Sequence, residues 1–434
     1  MLGWEFPPFI SGGLGTACYG LTKALSKMGL EVTFVLPRSI SMGSHSTHVQ
    51  MRTPADINDS DINWAEFERN LKNIKFKAID SPLKPYASSE TYRREIEAMI
   101  RAKQQRCGIG GAVETSCLDS MAHYAGDMYT EVQRYASSAV KLALQEDFDV
   151  IHAHDWMTFP AGMAVSAITG KPLIVHVHST EFDRSGENVN QMIYDIERAG
   201  MHAADKIIAV SFLTRNIIIS RYGITGDKVE VVYNGVERNG NGISFNRIGI
   251  NKDEKIVLFL GRITMQKGPE YFLGAAKKVL EVMDNVKFVM AGSGDMMRRA
   301  VELAANLGIG SKVLFTGFLR GEDVRKVYEM ADLYVMTSVS EPFGIAPLEA
   351  LNNDVPVLIS RQSGVSEVLT HVLKADFWDV NEIANKIVAV LKYPPLQMAL
   401  REHGNYEVRK LKWDDAAQKC MQIYNQLSAS TVCV

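Results

Sequence analysis

Two carboxylates in the stretch TSVSEPFGIAPLEALNNDVPVLIS, residues 337–360, invite a catalytic reading. On one continuous helix Glu341 and Glu349 lie roughly 12 Å apart along the axis and nearly a quarter turn out of phase, too far to share a proton. Pro342 and Gly344 stop a helix from reaching back to Glu341, which places that acid in a loop. Pro347 suits the first turn of the helix that follows, and Glu349 falls one turn further in. The two acids therefore suit opposite ends of an elongated ligand. In its helix Glu349 is a partner of the macrodipole, a surface residue, or an acceptor for paired hydroxyls such as those of a ribose.

The cations stand in FLGRITMQKGPEYF, where Arg262 and Lys267 occupy a loop between a strand and the helix opened by Gly268-Pro269. Such a pair beside helical N–H groups suits a diphosphate whose charge develops as it leaves, with two solvated surface cations as the alternative. SGGLG, residues 11–15, precedes the first helix. Its glycines either let the backbone approach an anion or simply make a tight turn, and the spacing is not that of a dinucleotide fingerprint. IHAHDW ends a strand with two histidines on one side: His152 reads as core, and His154, nearest the strand end, as facing a cleft. His176 and His178 repeat the pattern on the next strand, with Glu181, Asp183 and Arg184 behind them. The repeated spacing reads as structural rather than as a metal centre. Asp59-Ser60-Asp61 has the form of a metal-holding D-x-D, but no hydrophobic strand leads into it, and it reads as a solvated loop.

These groups need elements to position them. In the first half GLGTACYGLTKALSKMG carries apolar residues at helical spacing, and EVTFVLP, DVIHAH, PLIVHVH and KIIAV read as buried strands, each beside a helical candidate. Residues 40–126 are less regular and read as an insertion, followed by a helix over GDMYTEVQRYASSAVKLALQ. The three residues before Trp4 are too few for a full strand, so the first strand is a stub or lacks its earlier residues. Asn and Gly cluster near residue 240 with little hydrophobic period. After that break KIVLFLG, VKFVMAG, KVLFTG, ADLYVMT and VPVLIS alternate with helices. NYEVRKLKWDDAAQKCMQIYNQL reads as one amphipathic packing helix. The expected fold class is α/β: residues 1–240 and 241–403 form two doubly wound, Rossmann-like domains facing across a cleft, and 404–434 a packing helix. Ligands bind such sheets at strand C-termini, where the motifs fall.

The 434 residues are 46% hydrophobic and 22% charged, which suits a folded protein of two domains. A net charge of −3 in mixed signs excludes an electrostatic footprint for nucleic acid. Five cysteines follow no metal spacing and read as free thiols in a reducing compartment. With no secretory leader and no run of about 18 apolar residues, the expected location is cytoplasmic, without a transmembrane segment.

Taken together, Gly-Gly-Leu near the start, His-Ala-His-Asp-Trp, Gly-Arg-x-x-x-x-Lys-Gly, Ala-Gly-x-Gly and Glu-Pro-Phe-Gly with its second Glu resemble retaining glycosyltransferases of the GT-B fold, families 4 and 5, the glycogen and starch synthase type. The resemblance spans Trp4 to the Trp413 helix and implies that the C-terminal helix, 404–434, packs back on the first domain. It implies that Arg262 and Lys267 hold the distal phosphates of a nucleoside diphosphate sugar. It further implies that Glu349 binds the ribose hydroxyls, and Glu341 the transferred sugar near its 3- and 4-hydroxyls. Backbone groups of Phe343, Gly344 and Ile345 would serve the sugar and phosphate, Gly13 the diphosphate from the other domain, His154 the donor sugar, and Leu319 the base. The implied reaction is hexosyl transfer with retention by front-face attack, with no cofactor and no bound metal, from UDP- or ADP-glucose to the non-reducing end of an α-1,4-glucan. A lipid, small-metabolite or cell-surface glycan acceptor is the alternative within family 4; a nucleotide-sugar 2-epimerase and a non-catalytic sugar-nucleotide binder are alternatives of another class. Ile10 stands where family 5 carries a Lys, which favours family 4.

Overall fold

The computed structural model describes residues 1–7, 12–37, 73–78, 128–237 and 254–431. Its first half is built on parallel strands with helices between them. Helix α1 (Gly13–Lys27) buries Leu14, Ala17, Leu21 and Leu25 along one side and ends before β1 (Val32–Leu36). Then come β2 (Ile74–Ala78), α2 (Met128–Ala143), β3 (Ile151–His154), α3 (Phe159–Thr169), β4 (Leu173–Val177), the short α4 (Glu181–Ser185), α5 (Gln191–Ala203), β5 (Lys206–Ala209), α6 (Phe212–Tyr222) and β6 (Val229–Val231). Strands β3, β4, β5 and β6 pair in that order, all parallel, and β1 pairs with β2. Leu2 bridges Val35 on one side and Ala153 on the other, joining the two groups into one sheet. The stub expected before Trp4 is thus a single bridging residue at the sheet's centre. The irregular stretch 40–126 is corrected in one respect, because β2 lies within it and extends the sheet. The Asp59-Ser60-Asp61 loop and most of that stretch fall outside the described residues, as do Ser11 and the Asn/Gly break.

The second half runs β7 (Lys255–Leu260), α7 (Pro269–Leu280), β8 (Val286–Ala291), α8 (Met297–Asn306), β9 (Val313–Gly317), α9 (Gly321–Met330), β10 (Leu333–Met336), α10 (Ile345–Asn352), β11 (Val357–Ser360), β12 (Leu373–Ala375), α11 (Val380–Lys392) and α12 (Pro394–Val408). The sheet order is β12-β11-β10-β7-β8-β9, parallel throughout. The chain starts in the middle at β7, winds outward through β8 and β9, then returns beside β7 at β10. The connections after β7 and β10 therefore lead to opposite edges of the sheet, and the strand ends between them form the switch point where doubly wound sheets bind ligands. In the first sheet the same reversal lies between Leu2 and β3. The core of each half is apolar: Val175, Ile207 and Phe159 in the first, Val257, Phe288 and Leu333 in the second.

The amphipathic stretch read as one helix is two. Helix α12 stops at Val408, and α13 (Trp413–Thr431) begins after a four-residue bend. Trp413, Ala417, Cys420 and Ile423 then pack on Ala17, Leu21 and Leu25 of α1, back in the first half. Gly20 has no room for a side chain, since a Cβ there would stand 2.2 Å from the Trp413 ring. At Gly235 a Cβ would stand 2.3 Å from the Trp413 amide nitrogen, and Val236 N donates to Leu411 O at 3.0 Å. The bend is thus set by the seating of Trp413, whose truncation to Ala costs about 3–5 kcal/mol of packing. Among the described residues Cys18 and Cys420 are free, buried thiols, and no helix is long and apolar enough to cross a membrane.

Candidate active site

In the second half, glycines explain how the motifs come together. The loop after β7 lies directly on the loop after β8: Ile263 N donates to Ser293 O at 2.9 Å and Met296 N to Ile263 O at 3.0 Å. A Cβ at Gly292 would stand 1.9 Å from Gly261 O and one at Gly294 2.1 Å from Ile263 O, so Ala-Gly-x-Gly is what lets the Arg262 loop settle. Gly268 has φ +63, and a Cβ there would stand 2.2 Å from Thr337 O. Thr337 Oγ1 donates to Gly268 O at 2.8 Å and Val339 N to Gln266 O at 2.8 Å, drawing the β7 and β10 loops together.

The consequence is an ion pair. Lys267 Nζ lies 2.5 Å from Glu341 Oε2, which also accepts from Ser338 Oγ at 3.0 Å. Glu341 is 7% exposed, so its charge needs this compensation. The sequence reading gave these two residues different parts of a ligand; the structure places them side by side at the crevice. Arg262 is partly buried in the same loop. Gly344, at φ +105, opens α10, and Gly268 opens α7; neither helix carries a side-chain cap. Pro269 heads α7 without an N–H, and Tyr271 N and Phe272 N donate to Gly268 O, so α7 offers Glu270 N and α10 its first two amides to the crevice. Phe343 is buried in the core, 5.9 Å from the Tyr233 ring.

Glu349 stands apart from Glu341, as the spacing requires. Its Oε2 accepts from Tyr328 OH at 3.1 Å, and burial pushes its carboxyl above the usual range, with the tyrosine bond opposing. It lines a cavity of about 240 Å³ between the halves, together with Thr16, Gly20, Gly321, Tyr328 and Ile345. Leu319 and Gly13 do not line it. Leu319 lies two residues before Gly321, and Gly13 is exposed at the head of α1, with nothing within 4 Å of where a Cβ would stand.

The first half contributes a ladder of four imidazoles. Register pairs His154 with His176 across β3 and β4, which stacks the i, i+2 histidines of both strands. His152 Nδ1 meets Tyr424 OH at 2.6 Å and its Nε2 meets His176 Nδ1 at 3.2 Å, satisfying it as a core residue. His154 Nδ1 meets His178 Nε2 at 3.0 Å, while its own Nε2 is buried and unpartnered, as is that of His176. Nitrogens of His152, His154 and His176 lie within 4.8 Å of one another, close enough to hold a metal, although both His152 nitrogens and His176 Nδ1 already have partners. Burial holds all four rings well below the usual imidazole range, His178 at about 3. Asp155, at φ +59, turns the chain after β3 and accepts from His178 N at 2.7 Å. Burial pushes its carboxyl up to about 7, with that amide bond opposing.

Sequence reasoning missed the contacts across the cleft. Ser340 Oγ donates to Asp183 Oδ1 at 2.5 Å, and Ser211 Oγ to Pro342 O at 2.6 Å. Glu367 caps α6 from the other half, accepting from Phe212 N at 2.9 Å and Leu213 N at 2.7 Å. The Ser at the head of a helix was the available signal at Ser211; its partner 131 residues away was not.

Known proteins resemble this chain over its whole length. The profile described as Glycosyl transferases group 1 matches residues 242–406, and that of Glycosyltransferase Family 4 matches residues 125–239. An uncharacterized glycosyltransferase of Methanocaldococcus jannaschii is 30% identical over 98% of this chain and 97% of its own. A glycogen synthase of Mycobacterium tuberculosis is 22% identical over 98% and 93%. Among solved structures, sucrose-phosphate synthase from Thermosynechococcus elongatus superimposes with a TM-score of 0.71 at 18% identity, over 99% of this chain and 98% of that one.

Proposed function

The chain belongs to the family 4 glycosyltransferases of the GT-B fold, and on that premise we propose that it is a retaining hexosyltransferase moving glucose from a nucleoside diphosphate sugar to the non-reducing end of an α-1,4-glucan. The observation that carries the chemistry is the Lys267–Glu341 pair at the reversal of the second sheet, beside two uncapped helix N-termini. In this reading Lys267 and Arg262 neutralise the departing diphosphate, with Glu270 N of α7 and the first amides of α10 donating to its oxygens. Glu341 accepts from the hydroxyls of the transferred sugar. Phe343, Gly344 and Ile345 shape the turn that aims both groups. Glu349 takes the ribose hydroxyls at the wall of the cavity, with Leu319 beside the base and Gly13 approaching the diphosphate from the first half. His154 Nε2, buried without a partner, gains one from the donor sugar. The leaving phosphate accepts the acceptor's proton, so the reading assigns no step to a metal. The glucan acceptor is supported by the nearly full-length match to a glycogen synthase.

The test is incubation with UDP-glucose and ADP-glucose in the presence of maltooligosaccharides, scoring released nucleoside diphosphate and chain extension separately. Extension with one donor supports the reading. Release of nucleoside diphosphate only with other acceptors overturns the glucan part and leaves the transfer part standing. Turnover of neither donor, with any acceptor, overturns the glucosyl donor.

A further inference from the structure

Glu341 is held to its own domain, while both of its neighbours in the chain are held to the other. Its carboxylate meets Lys267 and Ser338, and Glu341 N donates to Gln362 O at 2.9 Å. On one side Ser340 Oγ donates to Asp183 Oδ1. On the other, Pro342 O accepts from Ser211 Oγ at 2.6 Å and Thr214 Oγ1 at 3.3 Å. Gly364 makes the second of these possible, since a Cβ there would stand 2.2 Å from Pro342 O and 2.5 Å from Ser211 Cβ. Asp183 is well anchored for such a task. Its Oδ2 accepts from Thr180 N at 2.8 Å and Thr180 Oγ1 at 2.7 Å, closing the capping box of α4, and the residue is 2% exposed. A charge-assisted bond in such a dry setting is strong and fixes direction.

We propose that Asp183, acting through Ser340, is a positioning residue that makes the aim of Glu341 depend on the two domains being together. When they part, Ser340 and Pro342 lose their partners, and the 337–344 loop keeps only its second-domain ties. The sugar-binding acid is then correctly set only in the closed form, in which water is excluded from the donor. This rests on the proposed contact between Glu341 and the transferred sugar. Asp183 itself touches no substrate in this scheme.

The experiment uses the full chain carrying Ser340→Ala, Asp183→Ala, both together, and Ser340→Thr. Ser340→Ala leaves the α4 capping box intact and Ser340→Thr restores the hydroxyl. Expected for Ser340→Ala is a loss of about tenfold to a hundredfold in kcat for transfer, the usual scale for a misplaced catalytic constellation. Affinity for the nucleoside diphosphate, by calorimetry with UDP and ADP, stays within about twofold. The double variant should be no slower than the slower single variant, and Ser340→Thr should recover most of the rate. Additive losses, or a fall in nucleotide affinity that accounts for the whole rate loss, overturn the proposal. Hydrogen exchange of the ligand-free protein provides a readout without turnover: segment 337–344 should exchange faster in Ser340→Ala, and segment 262–268 should not. If the wild type turns over no donor but this exchange pattern appears, the sugar assignment of Glu341 fails while the coupling stands; unchanged exchange at 337–344 overturns the coupling itself.

Discussion

Both sheets reverse direction at their centres, yet the two reversals are furnished in opposite ways. In the second half the crevice holds formal charges, Lys267 against Glu341 with Arg262 in the same loop, partly reached by solvent. In the first half the corresponding strand ends hold four neutral imidazoles, mostly shut away, and an aspartate whose burial favours its protonated form. A ligand carrying phosphates meets Lys267 and Arg262 on one side. On the other, Arg184 is already tied to Glu181 and Glu197, and the imidazoles offer uncharged donors and acceptors, which suit hydroxyls.

The largest expected effect would break this comparison at the charged side. Lys267→Ala should lower the rate of nucleoside diphosphate release by about 100- to 1,000-fold, the scale of losing one preorganised stabiliser of developing charge. Wild-type release by this variant would remove the second crevice from the chemistry. Next in size is the response of the neutral side to acid. The folded chain keeps its four histidines uncharged, whereas the unfolded chain takes up protons as pH falls below about 6.5. Stability contributed by the ladder is therefore complete above that pH and is lost on acidification, at up to about 1.4 kcal/mol per pH unit for each ring. Asp155, raised to about 7, works in the other direction between there and its unfolded value and offsets about one of the four shares. Chemical denaturation at about pH 7 and about pH 5.5 should differ by on the order of 3 kcal/mol, and His178→Asn should flatten that slope. A flat profile would mean that the ladder is charged or solvated in the folded protein.

Two smaller effects sharpen the contrast. His154→Ala should reduce kcat/KM for the donor by roughly tenfold, about 1.4 kcal/mol, as expected for one hydrogen bond in a dry site. Glu349→Gln keeps an acceptor for Tyr328 and should raise the donor KM by about threefold to fivefold with kcat unchanged, the signature of binding felt equally in ground and transition states. A fall in kcat of the same size would move Glu349 from the nucleotide end to the reacting end.

Most of the scaffold was legible because parallel strands buried on both faces are written as apolar runs, and the loops after them follow directly. KIVLFLG, VKFVMAG and ADLYVMT lie where those runs predict. β2 carried a signal that was passed over: Ile74-Lys75-Phe76-Lys77-Ala78 alternates apolar and charged residues with period two, but the run is only five residues long and gains its partner in β1. The continuous amphipathic pattern over 405–427 hid the bend before Trp413, since what breaks the helix is the room left by two glycines in other parts of the chain. At the site, residue types were readable and pairings were not. Nothing local to Lys267 announces Glu341, 74 positions away; the local signal was the glycine after it, which admits the backbone of Thr337. The histidine spacing was plain, but only strand register turns two pairs into one stack.

The seating of Trp413 has a mechanical meaning. The last described residues of the first half and the bend before α13 run side by side, joined by the Val236 to Leu411 bond. A body held by two adjacent tethers swings about them like a book about its spine, but resists twisting, since a twist would stretch one tether against the other. A swing about that spine would break and remake the bond between Ser340 and Asp183.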